Sequence, residues 1–348
     1  MPPPCFTPGS RCAAPGGDVL VEDVRVGDVL LVQSGSRLVA RPVVWVGSGS
    51  VAPTKFSCPE LSAPIRIDSS ALADGVPKRD LSISPDHRIL LNGRLVPARL
   101  LVNGMSIRRE LFNGPVTYLH IEFAEHSILF VEGVPAESFL DEQNDRSFFE
   151  AGSAVTALRP TLPNLNDPAH SPRACAPLAM TPAASRDIWQ MLYDRAIALG
   201  YPEPALTTVA DPGLHLVADG APVMPVHCTA TEASFVLPAA PTTLRLASRA
   251  SSPSALDRDA DDWRILGVAV RELRYRTQTG ETVYGPDHPA LSEGWQDAES
   301  DASGSWRWTR GNARLPCPTA AATITVRFFA QPAYLIDTPA AAETRRAA

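Results

Sequence analysis

Nowhere does the chain run for the ~18 consecutive apolar residues that a membrane-crossing helix needs, so no helical span is expected. The opening stretch "MPPPCFTPGSR" has neither a basic lead nor a long apolar core, and no secretory signal peptide is visible. The expected location is the cytoplasm, or outside the cell by a route that reads no such peptide. A basic excess is also missing: 31 Lys and Arg stand against 38 Asp and Glu, for a net charge of -7. That balance gives no general attraction to phosphate backbones or anionic membrane surfaces, so no nucleic-acid partner is expected. The six cysteines (Cys5, Cys12, Cys58, Cys175, Cys228 and Cys317) form no C-x-x-C pair and no Cys/His cluster at zinc spacing. No metal or other cofactor is implied. The spacing of Cys5 and Cys12 would allow a hairpin disulfide without requiring one, and the other four read as small buried apolar residues.

What the chain has in excess is proline, 34 of 348 residues, about twice the usual share of roughly 5%. Proline removes a backbone donor and breaks helix interiors, so loops and short strands are expected over long helices. Residues 5–148 fit that expectation. "GDVLVEDVRVGDVLLVQSG", "RPVVWVGSGS", "APIRIDSSAL", "DLSISPDHRILLNGRLV", "VTYLHIEF" and "SILFVEG" alternate or run apolar for four to seven residues between Gly, Pro, Asn or Asp. Leu91-Asn92-Gly93-Arg94 carries the Asn-Gly pair of a type I′ hairpin turn. The fold class is mostly β.

Composition divides the rest. Residues 1–4 are a short extension, 5–148 the first all-β domain, and 149–184 a proline-rich linker without periodicity. Residues 185–337 read as an antiparallel β-sandwich led by one helix, and 338–348 as a tail. The helix has Thr181 as N-cap and Pro182 at its first position. Ile188, Met191, Leu192, Ala196 and Leu199 form an apolar stripe expected to pack on a sheet, with Gly200 at the end.

Several features of the first domain fall in a fixed order. Cys5 opens "CFTPGSR"; "GDVLVEDVRVGDVLL" follows; "SPDHRILL" sets Ser84 and His87 three apart; "VTYLHIEFAEHSILFVEGVPAESFL" closes the series with His120 and His126. Over roughly residues 4–148 this series resembles the Hint family, the self-processing domains shared by Hedgehog proteins and inteins, and within it the bacterial group without an adjoining splice site. The resemblance implies a compact, horseshoe-like all-β fold and a reaction in cis. Cys5 attacks the carbonyl before it and turns the Pro4–Cys5 amide into a thioester, an N-to-S acyl shift on the chain's own N-terminal peptide bond. Ser84-Pro85-Asp86-His87 stands where the family has T-x-x-H. By carry-over His87 hydrogen-bonds the scissile nitrogen and donates its proton, Ser84 keeps the hydroxyl, and Asp86 could orient His87. His120 takes the position of a base or proton shuttle, a task suited to an imidazole with a free pKa near 6.5. His126 matches a second, less consistently catalytic histidine.

The series departs from the family at its end. Glu137 and Ser138 hold the positions of the His-Asn pair of splicing members, and neither has a side-chain amide that could cyclise. Full splicing is excluded on this reading, and a thioester would be resolved by water, a thiol or another external nucleophile. A start codon upstream would place a larger partner before Cys5.

The second domain offers less chemistry. Asp257, Asp259, Asp261 and Asp262 lack the glycine and distal glutamate of an EF-hand loop and read as a solvated acidic loop. Trp306 and Trp308 share one strand face, expected to be core; exposed, they would stack on sugar rings. The alternative to self-processing is therefore a silent Hint scaffold carrying a binding module for a glycan or protein at a cell surface.

Overall fold

The computed structural model describes residues 4–52, 61–110, 114–140 and 174–336. The chain forms two units, residues 1–204 and 205–348. Cys58, most of the expected linker and the expected tail lie outside the described residues.

The first unit is built from short antiparallel strands, as the proline content predicts. One sheet runs in the order Val19–Leu20, Arg11–Cys12, Ile128–Val131, Val134–Glu137, Arg88–Leu91 and Arg94–Pro97, with Val29–Ser34 and Arg37–Pro42 joined to it. A second contains Ile107–Arg109, Ile65–Ile67 and Leu81–Ile83, and a third pairs Val116–Glu122 with Trp45–Val51. Phe6 bridges Leu119 on one side and Ile83 on the other, which ties the second and third sheets together. The Asn-Gly turn forms as read: Asn92 and Gly93 have φ of 48° and 75°, the left-handed values a type I′ turn demands. Leu91 pairs with Arg94 across it.

The helix is the main correction to the sequence reading. It spans Pro182–Ala198, and the Thr181 side chain accepts from the Ala184 N–H at 3.2 Å, so the cap is as expected. Yet the helix belongs to the first unit, where Ile188 and Leu192 enter the core against the turn Ala98–Leu101. Met191 and Leu199, expected in the buried stripe, are exposed. Each fully buried aliphatic side chain contributes about 1.5–3 kcal/mol, and polar contacts fix the register. Trp189 Nε1 donates to Val102 O at 2.8 Å, and Arg195 Nε donates to Ser70 O at 2.8 Å. Of the five stripe positions, Ile188, Leu192 and Ala196 are buried.

The second unit is the expected antiparallel sandwich. Ala221–Val223, His215–Ala218, Leu244–Ala247 and Asn312–Arg314 make one sheet. The other contains His227–Cys228, Glu232–Leu237, Ala322–Ala330, Val268–Arg276, Gly304–Thr309 and Trp295–Asp301, with Glu281–Tyr284 on its flank. Leu216, Leu246 and Ala313 from the first sheet share a core with Phe235, Val268 and Ile324 from the second. Trp306 and Trp308 are half-buried and lie outside that core, each edge-on to Phe329 with ring centroids 5.6 and 5.2 Å apart. The expectation that these two tryptophans are core is therefore not met; the tryptophan in that core is Trp295. In the acidic loop, Asp262 is spent on Arg264, at 2.6 Å. Among the described residues no helix is long and apolar enough to cross a membrane.

Candidate active site

Cys5 and Phe6 lie in an extended segment held from both sides. Phe6 N donates to Leu119 O and Leu119 N to Phe6 O, both at 2.8 Å, and Ser84 N donates to Cys5 O at 2.9 Å. The N–H of Cys5 donates to Ser84 Oγ at 2.7 Å; this nitrogen belongs to the Pro4–Cys5 peptide bond. Successive side chains of an extended segment point to opposite sides. Phe6 thus enters the main core, while Cys5 packs with Val51, Val116 and Tyr118 in a small cluster of its own. Cys5 and Cys12 are both free thiols, so no hairpin disulfide forms.

Ser84 and His87 stand at the two ends of a tight turn closed by His87 N donating to Ser84 O at 3.1 Å. Pro85 at its second position presets the backbone. Asp86 does not orient His87: its carboxylate accepts from Arg99 Nε at 2.7 Å. His87 Nε2 lies 3.2 Å from the Glu137 carbonyl oxygen. A carbonyl only accepts, so the ring proton sits on Nε2 and Nδ1 carries the lone pair. Nδ1 has no hydrogen-bond partner among the described residues. Burial pushes the His87 pKa down to about 4, against the opposing pull of the Glu137 carboxylate and the Cys5 and Glu137 backbone.

His120 stands beside it, with ring centroids 5.2 Å apart, and Phe6 and Phe139 pack edge-on at 6.0 and 5.3 Å. Both its nitrogens are buried without a hydrogen-bond partner. Burial, and after it the repulsion a charged ring would meet from a protonated His87, from His126 and from Arg88, holds its pKa well below the usual histidine value. A neutral, unpartnered imidazole in an apolar cage is an expensive arrangement to keep.

Behind the histidines lies a buried ion pair that the sequence did not announce. Ala136 pairs with Ile89 across the sheet, which brings the next residue, Glu137, against Arg88. Glu137 Oε1 accepts from Arg88 N at 2.9 Å, and Oε2 lies 3.3 Å from Arg88 Nη1. Burial works against the carboxylate charge, but Arg88 and the neighbouring histidines outweigh it and hold the pKa below the ordinary glutamate value. Glu137 Oε2 also lies 3.5 Å from His126 Nε2. Ser138 Oγ accepts from Ser127 N at 3.0 Å.

The fold therefore gathers Cys5, Ser84, His87 and His120 in one buried place, all with 0% exposure. His126 is set apart, meeting the group through Glu137. One expectation is modified: the scissile N–H meets Ser84 rather than His87. Arg88, Phe6, Phe139 and Tyr118 were not singled out in the sequence. Phe6 and Arg88 carry only the signal of adjacency to Cys5 and His87, and Phe139 and Tyr118 look like any strand aromatic. Among the described residues no cluster of three or more His, Cys, Asp or Glu side chains could hold a metal ion.

A family model described as "Hint domain" matches residues 4–143. Among solved structures, an intein-like domain from Clostridium thermocellum is similar at 12% identity and a TM-score of 0.31, covering 39% of this chain and 98% of its own length. A DnaB intein from Synechocystis is similar at 10% identity and a TM-score of 0.29, covering 39% of this chain and 99% of its own. No curated protein matches the chain. Residues 4–143 are a Hint domain, a fold of the autoprocessing type.

Proposed function

We propose that the first unit performs an N-to-S acyl shift at Pro4–Cys5 and stops short of splicing. The Cys5 sulfur attacks the Pro4 carbonyl carbon; the C–S bond forms, the C–N bond breaks, and the proton given up by the thiol ends on the Cys5 nitrogen. The observation that carries this reading is the 2.7 Å bond from the scissile N–H to Ser84 Oγ, with a histidine bearing a free Nδ1 at the other end of the same turn. That bond and the Ser84–Cys5 backbone bond fix the amide before it reacts, which removes part of the orientational entropy from the barrier.

His87 suits a two-way proton transfer. Its Nδ1 takes a proton, and the resulting imidazolium, strongly acidic because it is buried, returns it to the departing nitrogen. His120 relays between the thiol and His87 across the 5.2 Å ring separation. Glu137 and Ser138 supply no nucleophilic amide, so the thioester is resolved by water or a thiol. Because Cys5 is wholly buried, the outside nucleophile acts only when the site opens, and the thioester has a lifetime.

The test is intact-mass analysis of wild type and Cys5→Ala after incubation with an excess of small thiol. Loss of the residues before Cys5 in wild type alone supports the reading. Equal retention in both forms removes it.

A second reading rests on the second unit. A cleft of about 720 Å³ opens beside Trp306, Phe329, Glu232 and Asp301, and it suits a ligand of a binding module. The Arg271 guanidinium lies 5.7 Å from the Trp306 ring centroid and takes a face that a sugar would use. A protein or peptide partner therefore fits better than a glycan, and loss of binding in Trp306→Ala would identify the cleft.

A further inference from the structure

The Hint match ends at residue 143, yet the first unit runs on to residue 204. The segment that leads into the helix Pro182–Ala198 is laddered onto the strand Arg94–Pro97. Leu95 N donates to Pro177 O at 2.8 Å, and Ala179 N donates to Leu95 O at 2.9 Å. The helix itself packs on the next element, the turn Ala98–Leu101, with Ile188 and Leu192 in the core. Trp189 Nε1 fixes it there by donating to Val102 O, one residue past the turn.

The same turn holds the residues around His87. Ala98 N donates to His87 O at 3.0 Å, and Arg99 N donates to Pro85 O at 2.9 Å. Arg99 Nε donates to the Asp86 carboxylate at 2.7 Å, from a side chain that is 7% exposed. Pro85, Asp86 and His87 are thus each bonded to Ala98 or Arg99, and this is where Asp86 is spent.

We propose that the helix Pro182–Ala198 is a positioning element of the self-processing site: by backing Ala98–Leu101 it holds the turn that carries Ser84 and His87 against the Cys5 amide. The proposal rests on the acyl-shift reading of that site, and on it residues 4–143 are not the whole functional unit. A misplacement of about 1 Å costs on the order of 100-fold in rate, and a turn held by three hydrogen bonds is no better fixed than the element donating them. Ala98–Leu101 is four residues of tight helical turn, all buried. So short a piece does not hold a shape alone, and the packing behind it decides where it sits. Truncating Leu192 leaves a cavity in that packing, into which the surroundings relax only in part. His87 then gains solvent, and burial is the main reason it stays neutral down to about pH 4.

Leu192→Ala in the full-length chain tests it, with Met191→Ala on the exposed side of the helix as the control. Two quantities are read: the His87 ring signal by NMR from pH 7 to 4, and loss of the residues before Cys5 under excess small thiol. A helix that only stabilised the fold would leave the His87 titration of the folded protein unmoved. The positioning role predicts that folded Leu192→Ala titrates His87 at least about one pH unit higher than wild type. It should also cleave at least about tenfold more slowly, with Met191→Ala unchanged in both. A His87 titration identical to wild type in folded Leu192→Ala overturns the proposal, as does a wild-type cleavage rate. If Leu192→Ala does not fold, Trp189→Phe, which removes the bond to Val102 O, is read in the same way, and an unmoved titration overturns the proposal. If wild type itself keeps the residues before Cys5, the acyl-shift reading fails, and the His87 titration still decides whether the helix positions the ring.

Discussion

Lowering the pH from about 7 to 5 should loosen the first unit, because the fold buries histidines in their neutral form. An unfolded histidine with a pKa near 6.5 takes up most of a proton over this interval. His87, at about 4 in the folded chain, takes up almost none. The unfolded state thus binds more protons, and stability falls as the pH falls, across the window from about 6.5 down to 4. Integrated from pH 7 to 5, His87 alone costs about 2 kcal/mol. His120, held well below its ordinary value by burial, contributes with the same sign. His126 works in the opposite direction. Its raised pKa gives a stabilisation that is complete below about 6.5 and lost toward 9, so acidification from 7 to 5 returns about 1 kcal/mol. Glu137, whose carboxyl is held low by Arg88 despite its burial, titrates below this window. The net expectation is a loss of more than about 1 kcal/mol between pH 7 and pH 5. Hydrogen exchange of peptides covering Ile65–Ile67 and Val116–Glu122, corrected for intrinsic rates, reads the opening free energy of this unit directly. Opening free energies that agree within about 0.5 kcal/mol at the two pH values would refute the reasoning, since well-buried neutral histidines cannot be indifferent to pH here.

Three substitutions probe the same site. His120→Leu removes two unpartnered buried nitrogens, so it should leave stability at pH 7 unchanged or raise it by about 1 kcal/mol, while reducing the acid sensitivity and slowing cleavage; denaturant titration checks the first part. Glu137→Gln takes the carboxylate from a pair that is 6% and 1% exposed and should destabilise the unit by about 3–5 kcal/mol. A loss under 1 kcal/mol in the same titration would mean the pair is solvated. Ser84→Ala deprives the Cys5 N–H of its 2.7 Å acceptor and should cost about 1–3 kcal/mol, with thioester formation falling while Ser84→Thr retains it.

Much of the site was legible because its parts are local. The turn Ser84–His87 is written in four consecutive residues, and the Asn92-Gly93 hairpin in two. Cys5, His87 and His120 could be named from their order along the chain. The scissile N–H meeting Ser84 instead of His87 was not legible, since a difference of one hydrogen-bond partner depends on how Phe6 is wedged between Leu119 and Ile83. Nor was the Arg88–Glu137 pair, which depends on the register of Ala136 against Ile89, 47 positions apart. The helix was correctly placed and capped but assigned to the wrong unit. Its stripe specified that it must bury a face, and only the match to Ala98–Leu101 decided against what. Cys175, Cys228 and Cys317 were misread for a related reason: a free cysteine is usually buried, and nothing nearby in sequence marks the three that are not.

The central claim is that Cys5 forms a thioester with the residue before it. A stable reporter domain fused ahead of Pro4 in the full-length chain makes that reaction visible, because the product then has a measurable size. Incubation with a small thiol should release the reporter with a thioester adduct on Pro4 in wild type. Release should be absent in Cys5→Ala. A reporter that stays attached to wild type and variant alike, in a chain whose first unit is shown to be folded, would contradict the account.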